Sequence, residues 1–225
     1  MYFLCKKGML KALFAFILVA NCWHFCLANG LETLETFLKS AKTGKADFTQ
    51  AVTAPAKTGQ ASQSGQTVRV KNSSGTFEFA RPDRFKFVYQ KPFEQTILAD
   101  GQNLWLYDVD LKQATQRKQQ AVLGSTPAAL IATATDLRSL QTEFALSNAP
   151  DTDGQQCVLA VPKTKDGQIQ NVRIGFKSGA LTSMEILDSF GQLSRLNFMA
   201  LQINLPLDAS VFKFTTPPGV DVVRQ

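Results

Sequence analysis

Apolar and polar side chains alternate with a period of two along most of this chain, most clearly in Gly75-Thr-Phe-Glu-Phe-Ala-Arg-Pro-Asp-Arg-Phe-Lys-Phe-Val-Tyr-Gln90. Phe77 and Phe79 alternate with Glu78 and Ala80, and Phe85, Phe87 and Tyr89 alternate with Lys86, Val88 and Gln90. This pattern predicts two strands meeting at a turn over Pro82-Asp83. Alternate residues of a strand share a face, so Arg81 falls on the face of Phe77 and Phe79. A guanidinium aimed at an aromatic surface is unfavourable unless it is partnered. Either Arg81 escapes at the strand end, or another segment supplies acceptors for it.

Leu31, Leu34, Phe37, Leu38 and Ala41 recur at helical spacing with Glu32, Glu35 and Lys39 opposite, which predicts an amphipathic helix closed by Gly44. A helix this short must lie on something apolar. Asp47 to Thr53 reads as the first strand, residues 54–66 as an exposed connection rich in small polar residues, and Thr67 to Val70 as the resumed strand pattern. Further strands are predicted at Thr96–Ala99, Leu104–Asp108, Gln113–Lys118, Thr142–Leu146, Gln156–Val161, Val172–Lys177, Leu181–Leu187 and Leu193–Leu205. Asp100-Gly101, Asp153-Gly154, Asp166-Gly167, Lys177-Ser178-Gly179 and Phe190-Gly191 supply the turns. Short connections between close strands argue for a sequential antiparallel sheet of about 10–11 strands. Pro217-Pro218 bars a helix from the tail.

One segment departs from the strand pattern. In Gly124-Ser-Thr-Pro-Ala-Ala-Leu-Ile-Ala132, Thr126 is a helix N-cap, Pro127 takes the first helical position, and the residues that follow are apolar on every side. Such a helix is either core or a cover over the mouth of a curved sheet, where its main-chain groups would meet Arg81. A sheet of this size must curl, close or pack against a second layer. Two short helices, at 31–41 and 127–133, leave a concavity whose inner face carries Phe77, Phe79, Phe85, Phe87 and Ile97. Periodicity alone leaves open whether that space is filled by side chains or holds a ligand. Trp105 is read as filled core.

Composition narrows the chemistry. Lys6, Lys7 and Lys11 precede an apolar run, Ala12 to Ala20, and Cys26-Leu27-Ala28 offers small residues for cleavage, so residues 1–28 read as a secretory signal and 29–225 as a single domain. The run is too short for a transmembrane anchor and is interrupted by Asn21 and His24. Loss of those three lysines takes the net charge from +6 to +3, too weak and scattered to argue for nucleic acid. Cys5, Cys22, Cys26 and the sole histidine, His24, leave with the signal, so Cys157 remains without a disulfide partner. A chain without histidine runs neither a Ser-His-Asp nor a Cys-His mechanism and lacks the commonest zinc ligand. There is no G-x-S-x-G, Ser125 of G-S-T-P reads as helix capping, and Asp108 and Asp110 read as a solvated pair flanking a turn. The expectation is a protein that is not an enzyme and uses no cofactor. Val19-Ala20-Asn21-Cys22 loosely resembles a lipid-attachment site, with Asn21 where a small residue belongs, and would anchor the protein if used.

The run SGTFEFARPDRFKFVYQKPFEQTILADGQNLWLYDVD (Ser74 to Asp110), followed by GSTPAALIA and then by FKFTTPPGV near the end, resembles the LolA family of lipoprotein carriers of Gram-negative bacteria. The resemblance continues in order through nearly all of the chain after residue 28, from the first helix and Ala46–Gln50 onward. It implies a mainly β fold, an open and curled antiparallel sheet forming an incomplete barrel, with short helices as a lid over an apolar cavity. It also implies a monomeric periplasmic chaperone that shields the acyl chains of lipoproteins. Cargo would come from an inner-membrane ABC lipoprotein-release transporter (LolCDE-like) and pass to the outer-membrane receptor LolB. By motif, Arg81 matches the family arginine that latches the lid, Leu130 and Ile131 fall on the lid, and Phe85, Phe87 and Ile97 fall on the cavity wall. Ala128-Ala129 stand where some relatives carry bulkier residues, and the 54–66 loop is long. The alternative is a related half-barrel that receives lipoproteins or senses lipid, LolB-like or sigma-regulator-like.

Overall fold

The computed structural model describes residues 29–55, 69–122, 134–164 and 168–225. Helix α1 (Gly30–Ser40) starts with a capping box: the Asn29 side chain accepts from the Glu32 backbone N–H at 3.0 Å, and Glu32 Oε2 accepts from the Asn29 N–H. Its apolar stripe, Leu34, Phe37 and Leu38, is buried, as the spacing requires. The helix ends at Ala41 and not at Gly44, which lies within the first strand. Gly44 has a different reason to be glycine. A Cβ there would stand 2.2 Å from Phe79 Cε1, so the missing side chain is what seats that ring.

The strands are β1 (Thr43–Thr53), β2 (Val70–Ala80), β3 (Arg84–Lys91), β4 (Gln95–Asp100), β5 (Asn103–Asp108), β6 (Gln113–Lys118), β7 (Phe144–Thr152), β8 (Gln155–Pro162), β9 (Ile169–Lys177), β10 (Ala180–Asp188), β11 (Leu193–Ile203) and β12 (Asp221–Arg224). Helix α2 (Gln119–Val122) follows β6, and α3 (Leu137–Glu143) precedes β7. All twelve strands form one sheet in the order β12-β6-β5-β4-β3-β2-β1-β11-β10-β9-β8-β7.

The expected sequential order is therefore broken twice. Strand β1 pairs antiparallel with β11, joining two meanders, and β12 adds to β6 in parallel. The β1–β11 pairing sets Phe48 opposite Phe198, a burial that neither meander achieves alone. A third correction concerns Thr142–Leu146, read as strand: Thr142 and Glu143 end α3, and the strand starts at Phe144. With seven residues and a capping box of Asp136 with Ser139, α3 is too short for its two leucines to make a periodic signal. The expected 54–66 connection and the Asp166-Gly167 turn lie largely or wholly outside the described residues.

Register divides the residues between two faces. Phe77 sits opposite Phe87, Phe87 opposite Ile97, and Ile97 opposite Leu106, so these share the concave face of the curled sheet. Helix α1 packs over the β7–β9 half of that face and reaches the other half through Phe37, whose ring lies 5.7 Å from Phe176 and 6.4 Å from Phe79. Trp105 pairs with Leu98 and points to the convex side, so it is not inner core as expected. There the returning chain covers it: Phe214 stacks on Trp105 at 4.6 Å, and the Arg84 guanidinium lies over Phe212.

Candidate binding site on the concave face

The concave face carries a continuous run of aromatic rings. From the Arg81 end, Phe79 stacks on Phe77 at 5.7 Å, Phe77 on Phe87 at 4.4 Å, Phe87 meets Phe48 edge-on at 5.3 Å, and Phe48 meets Tyr89 edge-on at 5.1 Å. Offset and edge-to-face contacts of this kind add about 0.5–1.5 kcal/mol per pair beyond the area buried. Phe85 is fully buried beside Phe87, and Ile97 packs against the same cluster half-buried. These rings fill one another's space. Of the three described cavities, none is lined by Phe77, Phe79, Phe85, Phe87 or Ile97.

Arg81 sits between the end of helix α1 and the chain at Ala134. It is 9% exposed, and its backbone N–H donates to Lys42 O at 2.8 Å. Its Nε donates to the carbonyl of Ala134 at 2.8 Å, and Nη1 donates to the carbonyl of Ala41. The guanidinium also lies over the rings of Phe79 and Phe37, at 4.8 and 5.3 Å from their centres. Burial pushes its pKa down to about 10, still far enough above neutrality that the group stays charged. One buried cation thus ties together strand β2, the end of helix α1 and the chain that follows residue 133.

The helix end explains the choice of acceptor. The last carbonyls of a helix have no intrahelical donors and carry its negative pole. Asn204 Nδ2 donates to the exposed Ser40 O at 3.1 Å, and Arg81 serves Ala41 O at the cap and Lys42 O just beyond it, so the chain leaving the helix is satisfied by two residues far away in sequence. Strand parity anticipated that Arg81 would face Phe79. It did not anticipate Ala41 as an acceptor, since a backbone carbonyl leaves no mark in a sequence. Leu130 and Ile131 lie outside the described residues. The rings of Phe37, Phe48 and Phe198 were also missed, although Ala46 and Phe48 already show the alternation of a strand face. Asp108 Oδ1 accepts from the Leu111 N–H at 3.0 Å, a turn-capping role that accounts for this carboxylate without a metal.

This architecture defines a class: an open, curled β-sheet with an aromatic concave face against which helix α1 packs, and a buried arginine bonded to the chain at Ala41 and Ala134. Residues 39–215 match the family model described as outer membrane lipoprotein carrier protein LolA, and the chain belongs to that family. A relative from Albidiferax ferrireducens named "Outer-membrane lipoprotein carrier protein" is 59% identical over 94% of this chain and 99% of its own. One of the same name from Methylibium petroleiphilum is 44% identical over 94% of this chain and 96% of its own. Among solved structures, an uncharacterized conserved protein from Thermus thermophilus shares the fold at a TM-score of 0.51 with 11% identity, over 87% of this chain and 97% of that one.

Proposed function

We propose that this protein is a periplasmic chaperone that shields the acyl chains of lipoproteins released from the inner membrane and delivers them to an outer-membrane receptor. The observation that carries this reading is the aromatic concave face closed by covers tied through Arg81, in a chain whose full-length relatives are named for carrying outer-membrane lipoproteins. Residues 1–28 act as the secretory signal. The donor is an inner-membrane ABC transporter of the LolCDE kind, and the acceptor is LolB.

The energetics explain why the empty face is closed. Burying one CH₂ contributes about 0.8 kcal/mol, so one chain of sixteen carbons approaches about 12 kcal/mol. Two or three chains would reach or pass the noncovalent ceiling of about 18–21 kcal/mol. A carrier that realised all of this would not release its cargo. Here the acyl chains must displace packed rings and break the Arg81 bonds, and the work of opening is subtracted from their affinity. Phe77, Phe79, Phe85, Phe87 and Ile97 form the wall against which the chains lie, Leu130 and Ile131 belong to the cover, and Arg81 is its latch.

Native mass spectrometry of the protein isolated from the periplasm tests the reading. The expected spectrum contains a mature chain beginning at Asn29 with bound acylated protein, or one that gains mass when a diacylated cysteine peptide is added. A chain that stays empty in both experiments overturns the carrier function, and a mature chain beginning with a diacylglyceryl-modified Cys22 overturns the soluble form.

A further inference from the structure

The aromatic run does not stop at the buried cluster. Beyond Tyr89 the concave face opens into a groove of about 750 Å³ at the end of the sheet opposite Arg81. Strand β3 covers roughly 20 Å between Phe85 and Lys91 at the usual rise per residue, so the groove and the latch sit at opposite ends of one continuous surface. Tyr89, Phe93 and Leu111 give the groove an apolar floor and lip, and Lys71, Asp108 and Asp110 give it charge. Phe93 is 68% exposed and Leu111 71% exposed. Their turns, β3–β4 and β5–β6, are joined by the Val109 N–H to Glu94 carbonyl hydrogen bond at 3.2 Å, so the two side chains are held as one lip.

The lining differs from the buried face in a way that selects its occupant. An acyl chain has no use for two carboxylates and a lysine, and placing it there would strip water from them. An extended peptide presents apolar side chains alternating with backbone amides and suits a surface that is greasy on one side and polar on the other. Continuity with the aromatic run matters as well, because a lipoprotein carries its peptide directly on the cysteine that bears the acyl chains. Resting on the carrier reading above, we propose that this groove is a second subsite, which holds the first residues of the cargo polypeptide while the acyl chains occupy the phenylalanine face. Two carboxylates against one ammonium make it favour basic over acidic side chains in that segment.

Two probes test this on the mature protein: a dipalmitoylglyceryl-cysteine amide, and the same compound extended by six residues carrying either lysines or glutamates. The lysine probe is expected to bind about tenfold tighter than the amide. Phe93→Ala with Leu111→Ala should erase that margin and leave the affinity for the amide unchanged, and Asp110→Lys should shift preference toward the glutamate probe. Both sites are exposed turns, so these variants keep the fold, which circular dichroism checks. Equal affinity of amide and extended probes for the native protein overturns the subsite. So does a variant that weakens both alike, or one that keeps the margin and instead loses binding to anionic vesicles, which would make the lip a membrane contact. If neither probe binds, the acyl reading itself fails and takes the subsite with it, whereas amide binding without a peptide margin removes the subsite alone.

Discussion

Replacing Arg81 by Leu separates two quantities that usually move together, global stability and closure of the covers. Among the described residues, the substitution removes charge-assisted hydrogen bonds to the carbonyls of Ala134 and Ala41. Leaving those buried carbonyls without that donor costs about 1–3 kcal/mol each. The same change relieves the guanidinium of its desolvation, which its pKa of about 10 against an ordinary 12.5 puts at about 3 kcal/mol. The terms oppose, so the denaturant midpoint should move less than the lost bonds alone would require. Opening that breaks only the Ala134 bond leaves the guanidinium on Ala41 O and over the Phe79 and Phe37 rings, so less of that desolvation is recovered. Breaking the Ala134 bond removes a tether of about 1.5–3 kcal/mol from the closed state, roughly a ten- to hundredfold rise in the open population. Hydrogen exchange of amides 134–143 reads that rise directly, and transfer of a diacylated peptide to acceptor vesicles carrying the receptor should slow because the open form holds cargo longer. Arg81→Lys, which keeps the charge but loses the planar fork, should fall between the two. Wild-type exchange in this segment together with wild-type transfer would refute the latch.

Three further outcomes follow from the geometry. Burial raises the Tyr89 phenol from 10 to about 12; the neutral form is favoured in the fold, so its stabilisation is complete below pH 10 and is lost as pH rises from 10 toward 12, and spectrophotometric titration against Tyr89→Phe should show one late phenol. Gly30→Ala would place a Cβ 2.4 Å from the Cys157 carbonyl oxygen, forcing α1 off β8; thermal unfolding should report a loss of about 1–3 kcal/mol. Desolvation alone would raise Asp100, but the N–H groups of Asn103 and Gln102 and the Trp105 indole hold its pKa below the usual value. Asp100→Ala should therefore destabilise the β4–β5 turn by about 1–3 kcal/mol at neutral pH, and the wild-type advantage should vanish as pH falls through the acid range, measured by urea unfolding.

The alternation in residues 75–90 was enough to place Phe77, Phe79, Phe85 and Phe87 on one face and to turn Arg81 toward them, because the period of a strand is a local property that needs no knowledge of its neighbours. The same local logic gave α1 its buried stripe and most hairpins their turns. Pairing is not local. That β1 joins β11 and not another edge, and that β12 returns in parallel to β6, depends on apolar surface buried between segments 108 to 159 residues apart. The Ala41 acceptor of Arg81 was illegible for a related reason: it acts through a backbone carbonyl, and nothing in its side chain announces it. Sequence alone put a cation on the same strand face as Phe77 and Phe79. Only the tertiary structure decided that it stays there and what it holds, since which backbone carbonyl comes within reach is set by how distant segments pack.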